Sequence, residues 1–243
     1  MHDTGPTSQT FISQRLRLHY LDWGGRGKPP LVLVHGWMDV SASWQFVVDA
    51  MQEDRFIIAP DLRGFGGTEI AGVDHYVFAD YLGDLEFLLD HYAPEQAVDL
   101  VGHSMGGNVC MLYAGVRPAR VARLGNLEGF GMPATRPSQA PGRYVAWLDE
   151  LKAFHRGETT MASYDDAQGV ARRLMKTNPR LHTNKAEWLA QHWAQANAQG
   201  IPMIGQVSCC PLTMDFTFAS AYPVEGLVSW RPAMGLSHDA LKA

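Results

Sequence analysis

The sequence predicts an α/β fold with a mostly parallel sheet and helices on both of its faces. Two observations support this prediction. Short apolar runs alternate with segments of helical periodicity through the N-terminal half of the chain, as in βαβ units. Several of these runs are apolar at every position, which is typical of strands covered on both faces. The chain has 243 residues, 46% of them hydrophobic, which suffices for one large domain with a full core.

Five strands are predicted from these runs. The segment 15–23 alternates apolar and polar residues, so we expect a half-buried strand in an antiparallel hairpin at the sheet edge. The other four strands are more continuously apolar and cover residues 31–34, 56–59, 97–101 and 121–127. The segments between these strands leave room for helices.

Three helices are predicted in the N-terminal half. Ser43 is expected to N-cap the first, whose apolar residues recur at i, i+3, i+4 and i+7. Asp74 is expected to cap a second, longer helix. The third covers residues 105–117 and ends before Pro118.

The sequence pattern changes after residue 132. Residues 133–199 hold no strand-like run but three amphipathic helical patterns, of which Asn184 caps the last. We therefore predict a first part of the α/β core at 1–132, a helical cap at 133–199 and an atypical tail at 200–243. We expect the cap aromatics to face the functional site across a largely apolar pocket. These aromatic residues are Tyr144, Trp147, Trp188 and Trp193.

Composition and charge exclude several classes of function. A formal net charge of -5 argues against nucleic-acid binding, and no apolar run approaches the roughly 18 residues of a membrane span. The first residues lack the pattern of a secretory signal, so we expect a cytoplasmic protein. Three cysteines cannot form a disulfide framework, and adjacent Cys209 and Cys210 make a poor zinc-binding pair. No metal or other cofactor is expected, and no oligomeric state is predicted.

The pentapeptide 102–106, Gly-His-Ser-Met-Gly, is the strongest indication of chemistry. It follows a predicted strand and opens a predicted helix, the context in which a G-x-S-x-G motif holds a nucleophilic serine on a sharp turn. Only small residues fit two positions before and after such a serine, and Gly102 and Gly106 occupy both positions. Ser104 is therefore the candidate nucleophile, with a positive φ. A glycine-rich turn with an incidental serine is the alternative.

A second motif, His35-Gly36-Trp37, follows the predicted strand 31–34. Acyl transfer needs two N–H donors that converge on the oxyanion. One comes from the residue after the nucleophile, here Met105, and the other from the loop after an earlier strand. Gly36 allows a tight turn that would present the backbone N–H of Trp37. Trp37 and Met105 are therefore the candidate oxyanion-hole residues.

A third motif is the glycine-rich segment 61–68, Asp-Leu-Arg-Gly-Phe-Gly-Gly-Thr. It has neither the Gly-Lys-Ser/Thr of a phosphate-binding loop nor a G-x-G-x-x-G that opens a helix, so nucleotide binding is rejected. We expect a structural loop in which Asp61 and Arg63 fix the turns near the rim of the active site.

These three motifs, in this order between strands, resemble the α/β-hydrolase superfamily in its cap-bearing branch. The resemblance covers roughly residues 10–200. It implies Ser104 as nucleophile, Trp37 and Met105 as oxyanion donors, and the helical insertion as a lid over the substrate. Haloalkane dehalogenases and epoxide hydrolases of this branch carry aspartate at the nucleophile position. A serine there points instead to cleavage of esters, thioesters, amides or carbon–carbon bonds.

The acid and the base of such a hydrolase follow the nucleophile in the chain. Glu128, at the end of the predicted strand 121–127, is the candidate acid, although a carboxylate that bonds the local backbone explains it equally well. No histidine is a convincing base. A histidine on a predicted cap helix is more simply explained as an exposed residue or one at the rim of the site. The histidines considered are His155, His182 and His192 in the cap and, near the end of the chain, His238.

The tail does not match the family pattern. Two more strands and helices with their connectors need roughly 50 residues. Residues 201–243 offer 43, four of them prolines. We therefore expect a truncated or frame-altered C-terminus after about residue 200, little or no hydrolase activity, and aggregation through an uncovered strand 121–127.

The predicted function is that of a serine hydrolase acting on an uncharged carboxylic ester or related small-molecule acyl substrate, through an acyl-enzyme on Ser104. A carbon–carbon hydrolase or a cofactor-free perhydrolase is the alternative among enzymes. A non-catalytic protein, which uses the same scaffold to bind a hydrophobic ligand, is the alternative from another class. The catalytic histidine and acid are the features that separate these alternatives.

Overall fold

A computed structural model of the chain describes residues 5–73, 76–130, 136–158 and 164–198. The described residues fall into two compact units: one holds those up to Gly129 and from Asp166 onward, and the other holds those between. The predictions about the tail, about His238 and about the Asp74 cap concern residues outside the described ranges. The predicted domain boundaries at 132 and 199 stay predictions.

The first unit contains a six-stranded sheet with the strand order β1-β2-β4-β3-β5-β6. The strands are β1 Thr7–Ser13, β2 Leu16–Asp22, β3 Pro30–Val34, β4 Phe56–Pro60, β5 Val98–His103 and β6 Val121–Leu127. β1 and β2 form an antiparallel hairpin at one edge, and β3 to β6 pair in parallel. The predicted mostly parallel sheet with an edge hairpin is confirmed. β6 ends the described sheet on the other side, with Leu124 and Leu127 exposed.

Six α-helices are described. They are α1 Gln45–Ala50, α2 Phe78–Tyr92, α3 Met105–Val116, α4 Ala140–His155, α5 Ala167–Thr177 and α6 Thr183–Ala198. A 3-10 turn, Ser41–Trp44, leads directly into α1, and another begins at Pro118 where α3 has ended, as predicted. None of the described helices is long and apolar enough to cross a membrane.

Two predicted helix caps are wrong. Ser43 lies inside the 3-10 turn and its hydroxyl donates to the Asp39 carboxylate, four residues earlier, instead of capping α1. Asn184 lies one residue inside α6, which begins at Thr183, and its Oδ1 accepts from the Lys185 N–H at 2.9 Å. In both cases a short polar side chain forms a hydrogen bond with a nearby residue other than the one that a capping side chain would bond. The sequence pattern does not show which of these partners it takes.

The parallel strands bury both of their faces, as their continuous apolar runs predict. Val32 and Val34 pack in one core cluster with residues of α2 and α3. Leu31 and Leu33 point to the opposite side, because successive strand residues alternate. There they join a second cluster with residues of α1 and α6, including Trp193. Helices therefore cover both faces of the sheet.

The second unit contains α4, whose apolar residues recur at helical spacing but are exposed. Tyr144 is 65% exposed, Trp147 is 47% exposed and Phe154 is 71% exposed. With Arg136 and Arg143, the first two line an open groove of about 460 Å³. The expectation that these aromatics face the functional site across a largely apolar pocket concerns residues of two separate units and stays a prediction. Helical spacing shows which face can be buried but not whether a neighbour covers it.

Candidate active site

Ser104 occupies a single-residue turn between the end of β5 and the start of α3. Its backbone has φ 50° and ψ −113°, in a region that non-glycine residues rarely adopt. The Ser104 N–H donates to the Leu127 carbonyl oxygen at 2.7 Å, and the Ser104 carbonyl accepts from the Asn108 N–H at 3.1 Å. The hydroxyl makes no capping bond to the described first turn of α3. The strained turn therefore fixes the serine backbone, and its hydroxyl takes no part in capping the helix.

Two glycines bring the neighbouring backbone against this turn. A Cβ on Gly106 would lie 2.4 Å from the carbonyl oxygens of both Val34 and His35, so the start of α3 packs directly on the end of β3. A Cβ on Gly36 would lie 3.1 Å from the Ser104 Cβ. The 35–37 loop thus passes beside the serine, as an oxyanion hole built from Trp37 and Met105 requires. Their roles as donors stay predictions.

The His35 side chain ties this loop to the 61–68 segment. His35 is fully buried, and its Nε2 accepts from the Leu62 N–H at 2.9 Å. Its Nδ1 lies 2.8 Å from the Gly36 carbonyl oxygen. Because Nε2 accepts, Nδ1 carries the proton and donates to that carbonyl. Sequence reasoning identified His35 only as part of a motif, and its position directly after a buried strand is the sign of this role.

Phe65 supports the same loop from outside. Its ring makes edge contacts with both His35, at a centroid distance of 5.5 Å, and Trp37, at 5.3 Å. Trp37 is 56% exposed. The predicted structural role of the 61–68 segment therefore extends to the backbone of the candidate oxyanion loop, through a phenylalanine that sequence reasoning did not identify.

Asp61 is fully buried and holds three parts of the fold together. Its Oδ1 accepts from the Ser41 N–H at 2.7 Å, and its Oδ2 accepts from the Gly67 N–H at 2.8 Å. The same Oδ2 lies 2.6 Å from His19 Nδ1. Burial alone would raise the pKa of Asp61, but the hydrogen bond from His19, the electrostatic interactions with His19 and His35, and the Ser41 N–H lower it to about 2.

This shift predicts a stability that depends on acid pH. The pKa of Asp61 is lower in the folded chain than its ordinary value of 3.8. Its ionisation therefore stabilises the fold above pH 3.8, and this stabilisation is lost as pH falls towards 2. At about 1.4 kcal/mol per pKa unit, we expect the free energy of unfolding to fall by about 2 kcal/mol through Asp61. Urea unfolding of wild type and Asp61→Asn between pH 2 and 6 measures this.

The substitution should flatten the pH dependence in that window. Asp90→Asn is the matched control, because it removes a carboxylate whose side chain is 60% exposed. It should leave the dependence unchanged. Equal slopes for wild type and Asp61→Asn would contradict the assignment to Asp61.

Arg63 joins the 61–68 segment to α2. Its Nε and Nη2 both donate to the Asp84 carboxylate at 2.6 Å. Asp84 also accepts from the Ser13 hydroxyl at 2.7 Å, so one buried carboxylate joins the hairpin, the loop and α2. These hydrogen bonds raise the pKa of Arg63. Sequence reasoning did not identify Asp84, which is 21 residues from Arg63 in the chain.

Glu128, the candidate acid, lies just after β6 and has a positive φ of 61°. Its side chain is 39% exposed, and its Oε2 lies 3.9 Å from His103 Nε2. His103 precedes the serine, and its Nδ1 would be 2.9 Å from a Cβ on Gly36. Glu128 therefore lies next to the serine turn, and its role as the acid stays a prediction.

Among the described residues, three of the histidines considered as the base are His155, His182 and His192. None of them forms a hydrogen bond with Ser104 Oγ. His155 and His182 are exposed. His192 is half-buried on α6, where its ring stacks on Trp188 at a centroid distance of 5.4 Å. Burial lowers the pKa of His192. The candidate nucleophile and the loop of Trp37 thus lie side by side, and the identity of the base stays open.

The chain matches known proteins over most of the region that forms this site. Residues 29–203 match the family described as alpha/beta hydrolase fold. A probable serine hydrolase of Drosophila melanogaster is 30% identical over 150 residues, covering 59% of this chain and 45% of that protein. Epoxide hydrolase 4 of Mus musculus is 32% identical over 110 residues, covering 45% of this chain and 30% of that protein. The matching part of this chain therefore corresponds to less than half of the full length of each relative.

A solved structure supports the fold independently. The thioesterase domain from the curacin biosynthetic pathway superposes with a TM-score of 0.66 at 24% identity, covering 78% of this chain and 68% of that domain. At this identity the similarity concerns the fold and not the reaction.

Proposed function

We propose that this chain, which belongs to the α/β-hydrolase fold family, is a serine hydrolase that cleaves a carboxylic ester or related acyl substrate. The observation that carries the proposal is the φ of 50° at Ser104, on the turn between β5 and α3. Such strain persists in folded proteins where the surrounding structure enforces it, and it concentrates at reactive residues. The proposed intermediate is an acyl-enzyme on Ser104.

In the proposed reaction a general base takes the Ser104 proton, and Oγ attacks the carbonyl carbon of the substrate. The tetrahedral oxyanion accepts hydrogen bonds from the backbone N–H groups of Met105 and Trp37. The alcohol leaves with the proton from the base, and water then releases the acid from the acyl-enzyme. The N-terminal end of α3 adds a favourable dipole at the oxyanion.

The 35–37 loop contributes most through its fixed position. A single oxyanion donor is worth about 10²- to 10³-fold in kcat, and only if it is held before the substrate arrives. His35 holds the Gly36 carbonyl from one side and Leu62 from the other, at 2.8 and 2.9 Å. These bonds support the proposal that the loop is a preorganised donor.

Substrate class is tested with the full chain and a panel of p-nitrophenyl esters of increasing acyl length, alongside a ring-fission product with a cleavable carbon–carbon bond. We expect release of about one equivalent of p-nitrophenol per chain and little turnover after it, because acylation of Ser104 precedes hydrolysis and the atypical tail predicts little hydrolase activity. Heat-denatured chain provides the blank.

Two other results would overturn this assignment. Cleavage of the ring-fission product without ester cleavage would identify a carbon–carbon hydrolase. No release from any compound, by folded protein, would favour a non-catalytic member of the family.

A further inference from the structure

A second chain of serine, histidine and aspartate lies at the hairpin edge of the sheet, away from the serine turn. Ser8 Oγ lies 2.7 Å from His19 Nε2. His19 Nδ1 lies 2.6 Å from Asp61 Oδ2. Thr10 is paired directly opposite His19 in the antiparallel register of β1 and β2. Ser8, two residues before Thr10, is therefore on the same face as His19 and diagonal to it.

The hydrogen bonds orient His19 as a base towards Ser8. The Asp61 carboxylate can only accept, so the neutral imidazole keeps its proton on Nδ1 and leaves Nε2 as the acceptor of the Ser8 hydroxyl. The Ser41 and Gly67 N–H groups hold the Asp61 carboxylate at 2.7 and 2.8 Å. A nucleophile, a base and a group that orients the base are thus in sequence, the arrangement that activates a serine.

The base and its carboxylate are buried in this network, whereas the serine is exposed. The Asp61 side chain is fully buried and the His19 side chain is 6% exposed, whereas Ser8 is exposed on the edge strand β1. Water therefore competes little for the bond between the base and its carboxylate, and an electrophile can reach the hydroxyl from solvent. An exposed serine without such a partner would have no base within hydrogen-bond distance.

We propose that Ser8 is a second reactive serine, which activated acyl or phosphoryl electrophiles modify covalently. With a fluorophosphonate, a bond forms between Ser8 Oγ and phosphorus, and the phosphorus–fluorine bond breaks. The Ser8 proton moves to His19 Nε2, and fluoride leaves with the bonding electron pair. The proposal is limited to formation of the adduct, because oxyanion donors are argued only for Ser104.

The experiment uses the full chain with Ser104→Ala, which removes the proposed nucleophile of the serine turn. The protein is treated with a fluorophosphonate probe, digested, and its adducts are quantified by mass spectrometry. Ser138 is the internal reference, because it is exposed and bonds no imidazole among the described residues. We expect Ser8 to react about 10²- to 10⁴-fold faster than Ser138, the usual contribution of a general base.

Further variants on this background separate activation from mere exposure. Ser8→Ala should remove the adduct, and Thr10→Ala, the matched control on the same exposed face, should keep it. His19→Gln, with folding checked by circular dichroism, should slow the Ser8 adduct to the rate of Ser138. If that variant does not fold, the ratio of Ser8 to Ser138 decides alone. A Ser8 rate equal to that of Ser138, or unchanged in folded His19→Gln, would overturn the proposal.

Discussion

Replacing Ser104 by alanine is expected to abolish the release of one equivalent of p-nitrophenol per chain, because it removes the oxygen that forms the proposed acyl-enzyme. The backbone at this position has a φ of 50°, which strains alanine and serine alike. The variant should therefore keep the thermal stability of the wild type. Initial rates with the best ester of the panel, at matched protein concentration, measure the effect.

Ser138→Ala is the matched control for this variant, since it removes an exposed serine hydroxyl from a 3-10 turn of the second unit. It should keep the wild-type rate. If Ser104→Ala retained more than about a tenth of the activity, Ser104 would not be the nucleophile, because even a single oxyanion donor is worth about 10²-fold or more.

Replacing Asp84 by alanine is expected to reduce the free energy of unfolding by about 3–5 kcal/mol, the usual cost of breaking a buried ion pair by removing one partner. The Asp84 side chain is 5% exposed and the Arg63 side chain 10% exposed. Alanine would leave the buried Ser13 hydroxyl without its partner and the Arg63 guanidinium with its longer contact to Asp80, at 3.4 Å. Urea unfolding should show a lower midpoint, and Tm should fall by roughly 6–20 °C.

The control for this prediction is Asp90→Ala. Asp90 also pairs with an arginine, Arg120 at 3.4 Å, but its side chain is 60% exposed. An exposed pair is worth about 0–1 kcal/mol, so this variant should remain close to the wild type. A similar small loss for Asp84→Ala would show that the buried pair does not hold the 61–68 segment to α2.

Continuous apolar runs made the sheet predictable. A run such as 31–34 can bury the apolar side chains of both its faces only inside a sheet that is covered on both sides. Val32 and Leu33 do point into the two opposite cores. The serine turn was predictable for a related reason. Gly106 has no room for a side chain, since a Cβ would lie 2.4 Å from two carbonyl oxygens. The need for glycine at this position is therefore visible within the five residues of the motif.

Long-range polar contacts were not predictable in the same way. Asp84 and Arg63 are 21 residues apart. In the helical pattern of α2, the buried Asp84 cannot be distinguished from the other polar residues. The pairing of His19 with Asp61 spans 42 residues. Such contacts depend on where two elements meet in space, which hydrophobic periodicity leaves open.

The helical segment after residue 132 shows the same distinction between pattern and burial. Its periodicity predicts the three helices, but α4 exposes its aromatic stripe while α6 buries Trp193 in the core of the first unit. Both helices have the spacing of an amphipathic segment. Only the neighbouring elements decide which stripe is covered.

Mapping a fluorophosphonate adduct on the wild-type chain by mass spectrometry tests most directly whether Ser104 is the nucleophile. The reagent reacts with serines that a base activates, and peptide mapping separates Ser104 from Ser8 and from every other serine. We predict an adduct on Ser104 in the wild-type chain, in addition to the one proposed on Ser8. Folded wild-type protein that gains no adduct on Ser104, or gains it there no faster than on exposed Ser138, would contradict this assignment.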